Sequence, residues 1–261
     1  MTQILILIFI AGFIVFFLRY KKTVTLAELP AGYRDLLLAH VAFYRALDET
    51  GKKRFEEKIK ELLGYIHIHG VKTEVTDLDR LLIASSGVIP IFGFPEWKYY
   101  NLRDILLYPG AFNEIDFNIK EDSDILGMVG SGTMQRMMIL SKPALHHGFE
   151  NVSGRENTGI HEFVHLLDKE DGDVDGLPET LLDKQYTLPW LSLVAEEIES
   201  IKEGHSDFNG YGAKNKAEFF AVAAEYFFEQ PGIFKDHHPE LYEIMTRIFN
   251  QQPNVHPGPA N

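Results

Sequence analysis

The sequence predicts an α+β domain with a small mixed sheet, preceded by one transmembrane helix at the N-terminus. Three observations carry that expectation. The short runs that read as strands all fall before Ser153, the chain beyond Ser153 reads as helix almost throughout, and residues 1–18 hold no charged side chain. Strands gathered in one part of a chain suit an α+β layout better than alternating β-α-β units.

In chain order, Met1–Leu18 would make about 27 Å of helix at 1.5 Å per residue, close to the thickness of a bilayer's hydrocarbon core. A cleavable signal would carry cations before the apolar run; here Arg19-Tyr20-Lys21-Lys22 follows it. Residues 1–20 are therefore expected to be a single-pass anchor in the cell membrane, with the rest of the chain facing the cytoplasm. One domain is expected over residues 23–250, and a disordered tail over 251–261, where Pro and polar residues dominate. Arg54–Leu63 puts Phe55, Ile59, Leu62 and Leu63 on one helical face, and Tyr65–Val71 alternates like a strand. A Thr76-x-x-Asp79 cap opens a helix over Asp77–Val88. Ile105–Tyr108, Asp116–Lys120 and Met137–Leu140 read as further strands, the last either an internal strand or the edge on which an extended peptide could pair.

Composition narrows the function classes. With 25 Lys and Arg against 38 Asp and Glu, the formal charge is −13, and no basic stripe offers a footprint for nucleic acid. Cysteine is absent, so any metal must be held by His, Asp or Glu.

His161-Glu162-Phe163-Val164-His165 is an H-E-x-x-H motif, which a shuffled chain of this composition would contain only ~0.04 times. On a helix, residues i and i+4 lie on one face a turn apart, so both imidazoles can meet one ion while Glu162 projects beside them towards an ion-bound water. Ser153-Gly154-Arg155-Glu156 reads as the capping box that starts this helix, and Asp171-Gly172 as its stop. Phe163, Val164, Leu166 and Leu167 would face the core. Catalytic zinc takes three protein ligands. Asp171 has the spacing of one known third ligand, but Asp168 occupies the place where that arrangement needs glycine. The alternatives are Glu218 and Glu225, carboxylates in the otherwise apolar helix 217–228 that need a positive partner if buried. Asp168 shares a helical face with His161 and His165, so it could orient an imidazole or form a surface ion pair.

These motifs carry a resemblance. HEFVHLLD at 161–168, the Asp-Gly-Leu-Pro turn at Asp175–Pro178 and Tyr211 followed by Ala-Glu-Phe-Phe-Ala-Val at 217–222 resemble the zinc peptidase family of Mlc titration factor A. More distantly they resemble the catalytic domain of anthrax lethal factor. Upstream, residues 76–84, Pro90-x-x-Gly93 and Leu107–Phe112 fit in the same order. The resemblance implies a zincin-like metallopeptidase with one Zn2+ per chain, held by His161, His165 and Glu218. It implies Glu162 as general base and acid, and Tyr211 as the group that stabilises the oxyanion. It further implies a peptide or protein substrate and a regulatory protein partner such as a transcriptional repressor. The N-terminal anchor departs from the family pattern.

Other signals are weaker. Asp171, Asp173 and Asp175-Gly176 imitate half a calcium loop, but Leu182 stands at position twelve, so this reads as an acidic turn. His146-His147 and His237-His238 read as surface loops without carboxylate partners.

Overall fold

The structure is a computed structural model that describes residues 26–113, 125–130, 132–151 and 154–253. The expected membrane helix at 1–20, the expected strand at Asp116–Lys120 and most of the expected tail lie outside the described residues. Among the described residues, no helix is long and apolar enough to cross a membrane.

The architecture is α+β and mostly helical. Helices α1 (Tyr33–His40), α2 (Ala42–Ala46) and α3 (Glu49–Leu63) come first. The Asp48 side chain accepts the Gly51 N–H and so starts α3 earlier than the apolar spacing alone suggests; Phe55, Ile59 and Leu62 are buried as expected. Strand β1 (His67–Gly70) leads into α4 (Asp77–Ile91), where the Thr76 hydroxyl accepts from Asp79 N and the Asp79 carboxylate accepts from Thr76 N. Nearly every side chain of α4 beyond Arg80 is buried, making it the central rod of the core.

Strands β2 (Asp104–Tyr108), β3 (Gly127–Val129) and β4 (Met137–Ser141) complete a four-stranded sheet in the order β1-β2-β4-β3. β1, β2 and β4 run parallel, and β3 pairs antiparallel with β4. Met137–Ser141 is therefore an internal strand, and the edge beside it is the three-residue β3. Its brevity and want of alternation hide it from pattern reading.

α5 (Lys142–Glu150) continues from β4 and is tied to α4 through the fully buried Asp79, which takes Lys142 Nζ at 2.8 Å and His146 Nε2 at 2.6 Å. The remaining helices are α6 (Thr158–Asp168), α7 (Thr187–Lys202), α8 (Lys216–Glu229), α9 (Pro231–His237) and α10 (Pro239–Ile248). His146, His147 and His237 are thus on helices and His238 joins two of them, and His146, His237 and His238 have acidic partners, contrary to the expectation of bare surface loops. His146 meets Asp79, and His238 bridges Glu197 (3.0 Å) and Asp207 (2.7 Å). Four side chains (Arg155, Tyr226, His237 and His238) converge on Asp207 and outweigh its burial, holding its carboxyl well below the usual range. At the C-terminal end, Gln251 Nε2 donates to Ile89 O at 2.8 Å and Pro253 is buried, so packing extends past residue 250.

Candidate metal centre and its surroundings

α6 carries the H-E-x-x-H motif, and its placement follows from its sequence. The expected capping box does not start it. Residues 154–157 are not helical, and Glu156 accepts instead from Asn209 Nδ2. The N-cap is Asn157, whose side chain accepts the Ile160 N–H at 3.1 Å. Gly159 lets α6 lie directly on α4, since a Cβ there would collide with the Ser86 hydroxyl. Phe163, Val164, Leu166 and Leu167 all enter the core, with Phe163 packed on Tyr99 at 5.0 Å between ring centroids. Asn101 Nδ2 holds the Leu166 carbonyl at 2.9 Å. One face is thereby fixed inward, and the other presents His161, Glu162 and His165 to α8.

α8 brings the third acidic partner. Asn215 caps it by accepting the Glu218 N–H at 2.9 Å, which sets Glu218 in the first turn, where the helix dipole favours a carboxylate. Glu218 Oε2 lies 3.1 Å from His161 Nε2 and 3.2 Å from His165 Nε2, and the two nitrogens are 3.1 Å apart. Among the described residues this is the one group of three or more His, Cys, Asp or Glu close enough to share an ion.

The donor set fits a zinc ion. A tetrahedral site with ligand bonds of about 2.0–2.1 Å has ligand–ligand edges of roughly 3.3 Å, close to the three separations here. Two neutral imidazoles and one carboxylate are also the donors of a common catalytic zinc site. Nearby hydrogen bonding prepares the nitrogens for this. His161 Nδ1 lies 2.7 Å from Glu225 Oε1, so Nδ1 is the donor there and Nε2 is the nitrogen turned to Glu218, where an ion would sit. Burial opposes protonation of His161, but Glu225 and Glu218 outweigh it and hold its pKa well above the usual value in the metal-free protein. Burial likewise opposes ionisation of Glu218, yet the two imidazoles overcome it and hold its carboxyl far below the usual range.

The geometry separates the acidic candidates for a place beside the two imidazoles. Glu218 faces both Nε2 atoms, Glu225 backs His161, and Asp171 sits in an exposed turn where it accepts the Asp173 and Glu179 N–H groups at 3.2 Å each. That turn is the acidic turn expected. Asp168 does not reach an imidazole. Its Oδ2 accepts the Gly176 N–H at 2.9 Å, while its Oδ1 and His165 Nδ1 are both buried without partners. Gly176 has φ of +78° and packs against the Lys216 carbonyl, so Asp168 ties the end of α6 to the start of α8 through this turn.

Glu162 is buried beside the imidazoles, and its Oε2 has no hydrogen-bond partner. Burial raises its pKa above the ordinary carboxylate value. Gly127 of β3 closes over it; a Cβ at that position would lie 2.6 Å from Glu162 Oε1 and 2.7 Å from its Cγ. Tyr211 stands at the rim in a 3-10 turn (Gly210–Ala213), 49% exposed, with its hydroxyl 3.3 Å from Glu218 Oε1 and its ring 5.9 Å from that of His161. Asn209 caps this turn by accepting the Tyr211 N–H at 2.8 Å. Sequence reasoning did not reach Gly127 or Lys214. Nothing in the local sequence marks Gly127, but the four-residue spacing from Lys214 to Glu218 is a readable helical pair.

Comparison with known proteins agrees with this geometry. The family model described as glucose-regulated metallo-peptidase M90 matches residues 16–250. An uncharacterized protein of Synechocystis is 27% identical over 246 residues, covering 90% of this chain and 89% of that protein. Mlc titration factor A of Cronobacter sakazakii is 28% identical over 254 residues, covering 89% and 90%. The protein of the same name from Escherichia coli is 30% identical over 197 residues, covering 69% and 71%. The sequence resemblance, the family match across nearly the whole described chain and a His-His-Glu cluster able to hold an ion all point one way: this chain belongs to the M90 family of metallopeptidases.

Proposed function

We propose that the protein is a zinc-dependent peptidase in which His161, His165 and Glu218 hold the ion, Glu162 acts as general base and then acid, and Tyr211 steadies the oxyanion. The observation that carries this reading is the convergence of two imidazole Nε2 atoms on one carboxylate oxygen beside a buried carboxylate with a free oxygen. A zinc ion with these ligands lowers the pKa of its water towards ~7 and polarises a carbonyl. Glu162 Oε2, having no other partner, takes the proton from the attacking water; its raised pKa suits it to carry that proton to the leaving amine. The Tyr211 hydroxyl, at the open rim, turns from Glu218 towards the carbonyl oxygen as negative charge develops there. Among the described residues β3 has β4 on one side only, and its other side would offer backbone groups to an extended peptide, with Gly127 next to Glu162.

The reading includes a membrane anchor at residues 1–20, supported by an uncharged apolar run with cations after it, which keeps the domain at the cytoplasmic face. The name of the relatives favours a second reading, in which the domain captures a regulatory protein such as a transcriptional repressor and hydrolysis is incidental. Glu162→Gln tests both. Peptide cleavage lost with one zinc per chain retained supports the peptidase; cleavage that persists refutes the assigned base. Cellular function intact in the same variant favours capture.

A further inference from the structure

Glu218 divides its two oxygens between different neighbours. Oε2 faces the imidazoles, whereas Oε1 lies 3.3 Å from the Tyr211 hydroxyl and 3.4 Å from Lys214 Nζ. Lys214 Nζ is in turn 3.2 Å from the Tyr211 oxygen and 4.9 Å from the centre of its ring. The ammonium thus donates into the phenol oxygen, and the phenol donates to the carboxylate. Lys214 is held there from below: its N–H donates to the Tyr211 carbonyl at 3.1 Å, and it stands one turn before Glu218.

We propose that Lys214 is a positioning residue for the peptidase chemistry, keeping Glu218 Oε1 occupied while Tyr211 leaves to meet the substrate. The inference rests on the metallopeptidase reading above and deepens it. When the phenol turns away, Oε1 would lose its hydroxyl partner and be free to rotate towards the ion, disturbing the single-oxygen contact made by Oε2. The ammonium stays on Oε1 and prevents that. Before the turn, donation into the phenol oxygen polarises its O–H and makes it a stronger donor. A plain i,i+4 surface pair would do neither.

The test uses the full chain, with zinc affinity measured by chelator competition and turnover measured on a fluorogenic peptide that the wild type cleaves. Lys214 is mostly exposed, so its replacement leaves the core intact. Lys214→Met is expected to weaken zinc binding roughly tenfold, as loss of a ligand's outer partner does, and to lower kcat by a similar factor with KM within threefold. Lys214→Arg should restore both. In Tyr211→Phe, where no hydroxyl holds Oε1, adding Lys214→Met should weaken zinc at least as much as it does in the wild type, because the ammonium is then the partner left on Oε1. Zinc affinity and kcat both within twofold of wild type in Lys214→Met would overturn the proposal, as would zinc affinity left unchanged when Lys214→Met is added to Tyr211→Phe. Those failures appear in variants beside a zinc-loaded, active wild type; a wild type that binds no zinc would take down the metallopeptidase reading and this inference together.

Discussion

Gly127→Ala isolates the proposed role of Glu162 as general base without touching the proposed ligands His161, His165 and Glu218. The new Cβ would stand 2.6 Å from Glu162 Oε1, 2.7 Å from Cγ and 2.9 Å from Cδ, and these are its three nearest neighbours. Carbon contacts relax only at about 3.5 Å, so the carboxylate must retreat by close to 1 Å. Misplacing a reacting group by that distance costs about 100-fold in rate, or about 2.7 kcal/mol of barrier. The strand itself gains from alanine, so the fold should hold. The assay is kcat on a peptide substrate beside zinc stoichiometry and a thermal melt, with Glu162→Gln as the inactive reference. One zinc per chain with kcat down about 100-fold is the expected result. A kcat within threefold of wild type would refute the argument that β3 fixes the working position of Glu162.

Three further outcomes follow from the same geometry. Glu225→Gln should weaken zinc binding 10–100-fold in a chelator competition, because the carboxylate that orients His161 through Nδ1 is lost. Gly176→Ala should destabilise the domain by at least about 1–3 kcal/mol in denaturant melts, since φ of +78° disfavours a side chain and the Cβ would press on Lys216. It should also lower zinc affinity, because the start of α8 moves with Lys216. Burial pushes the Asp168 carboxyl up to about 6 from 3.8, so the folded state binds a proton that the unfolded chain has released between those values, and stability falls as pH rises from 4 to 6. Above pH 6 this costs at most about 3 kcal/mol; Asp168→Asn should therefore stabilise at pH 7 and not at pH 4, and equal effects in melts at both values would contradict it.

The chemistry of this protein was more legible in its sequence than the scaffold that aims it. His161, Glu162 and His165 are fixed relative to one another by helical spacing alone, so the motif needed no fold to be read. Glu218 and Glu225 also stood out, as two carboxylates in an apolar helix, but spacing could not say which meets Nε2 and which Nδ1. That choice depends on how α8 docks on α6, a contact between segments more than 50 residues apart. The start of α6 differs from the expected one because Ser153-x-x-Glu156 and Asn157 both offer caps. Asn157 prevails because tertiary partners engage its backbone: its N–H donates to Glu225, while Glu156 is drawn to Asn209. β3 is only three residues long, too short for any alternation to show, and it exists because β4 supplies its hydrogen bonds. Spacing puts Asp168 on the face of the two histidines, yet the Gly176 turn, which local sequence does not position, claims its carboxylate.

Glu225 grips α6 twice, through the Asn157 N–H that opens the helix and through His161 Nδ1 one turn later. Neither bond involves an ion, and both join the very helices that carry the donors. These contacts give α6 and α8 a junction at the His-His-Glu cluster made of the protein's own groups, unlike small zinc modules whose folding waits for the ion. Withdrawal of zinc by a chelator or a scarce supply would silence such a centre while leaving the domain folded and ready to reload. On the proposed zinc-peptidase reading, metal availability would be a reversible throttle, acting on an intact molecule and sparing it the degradation that follows unfolding.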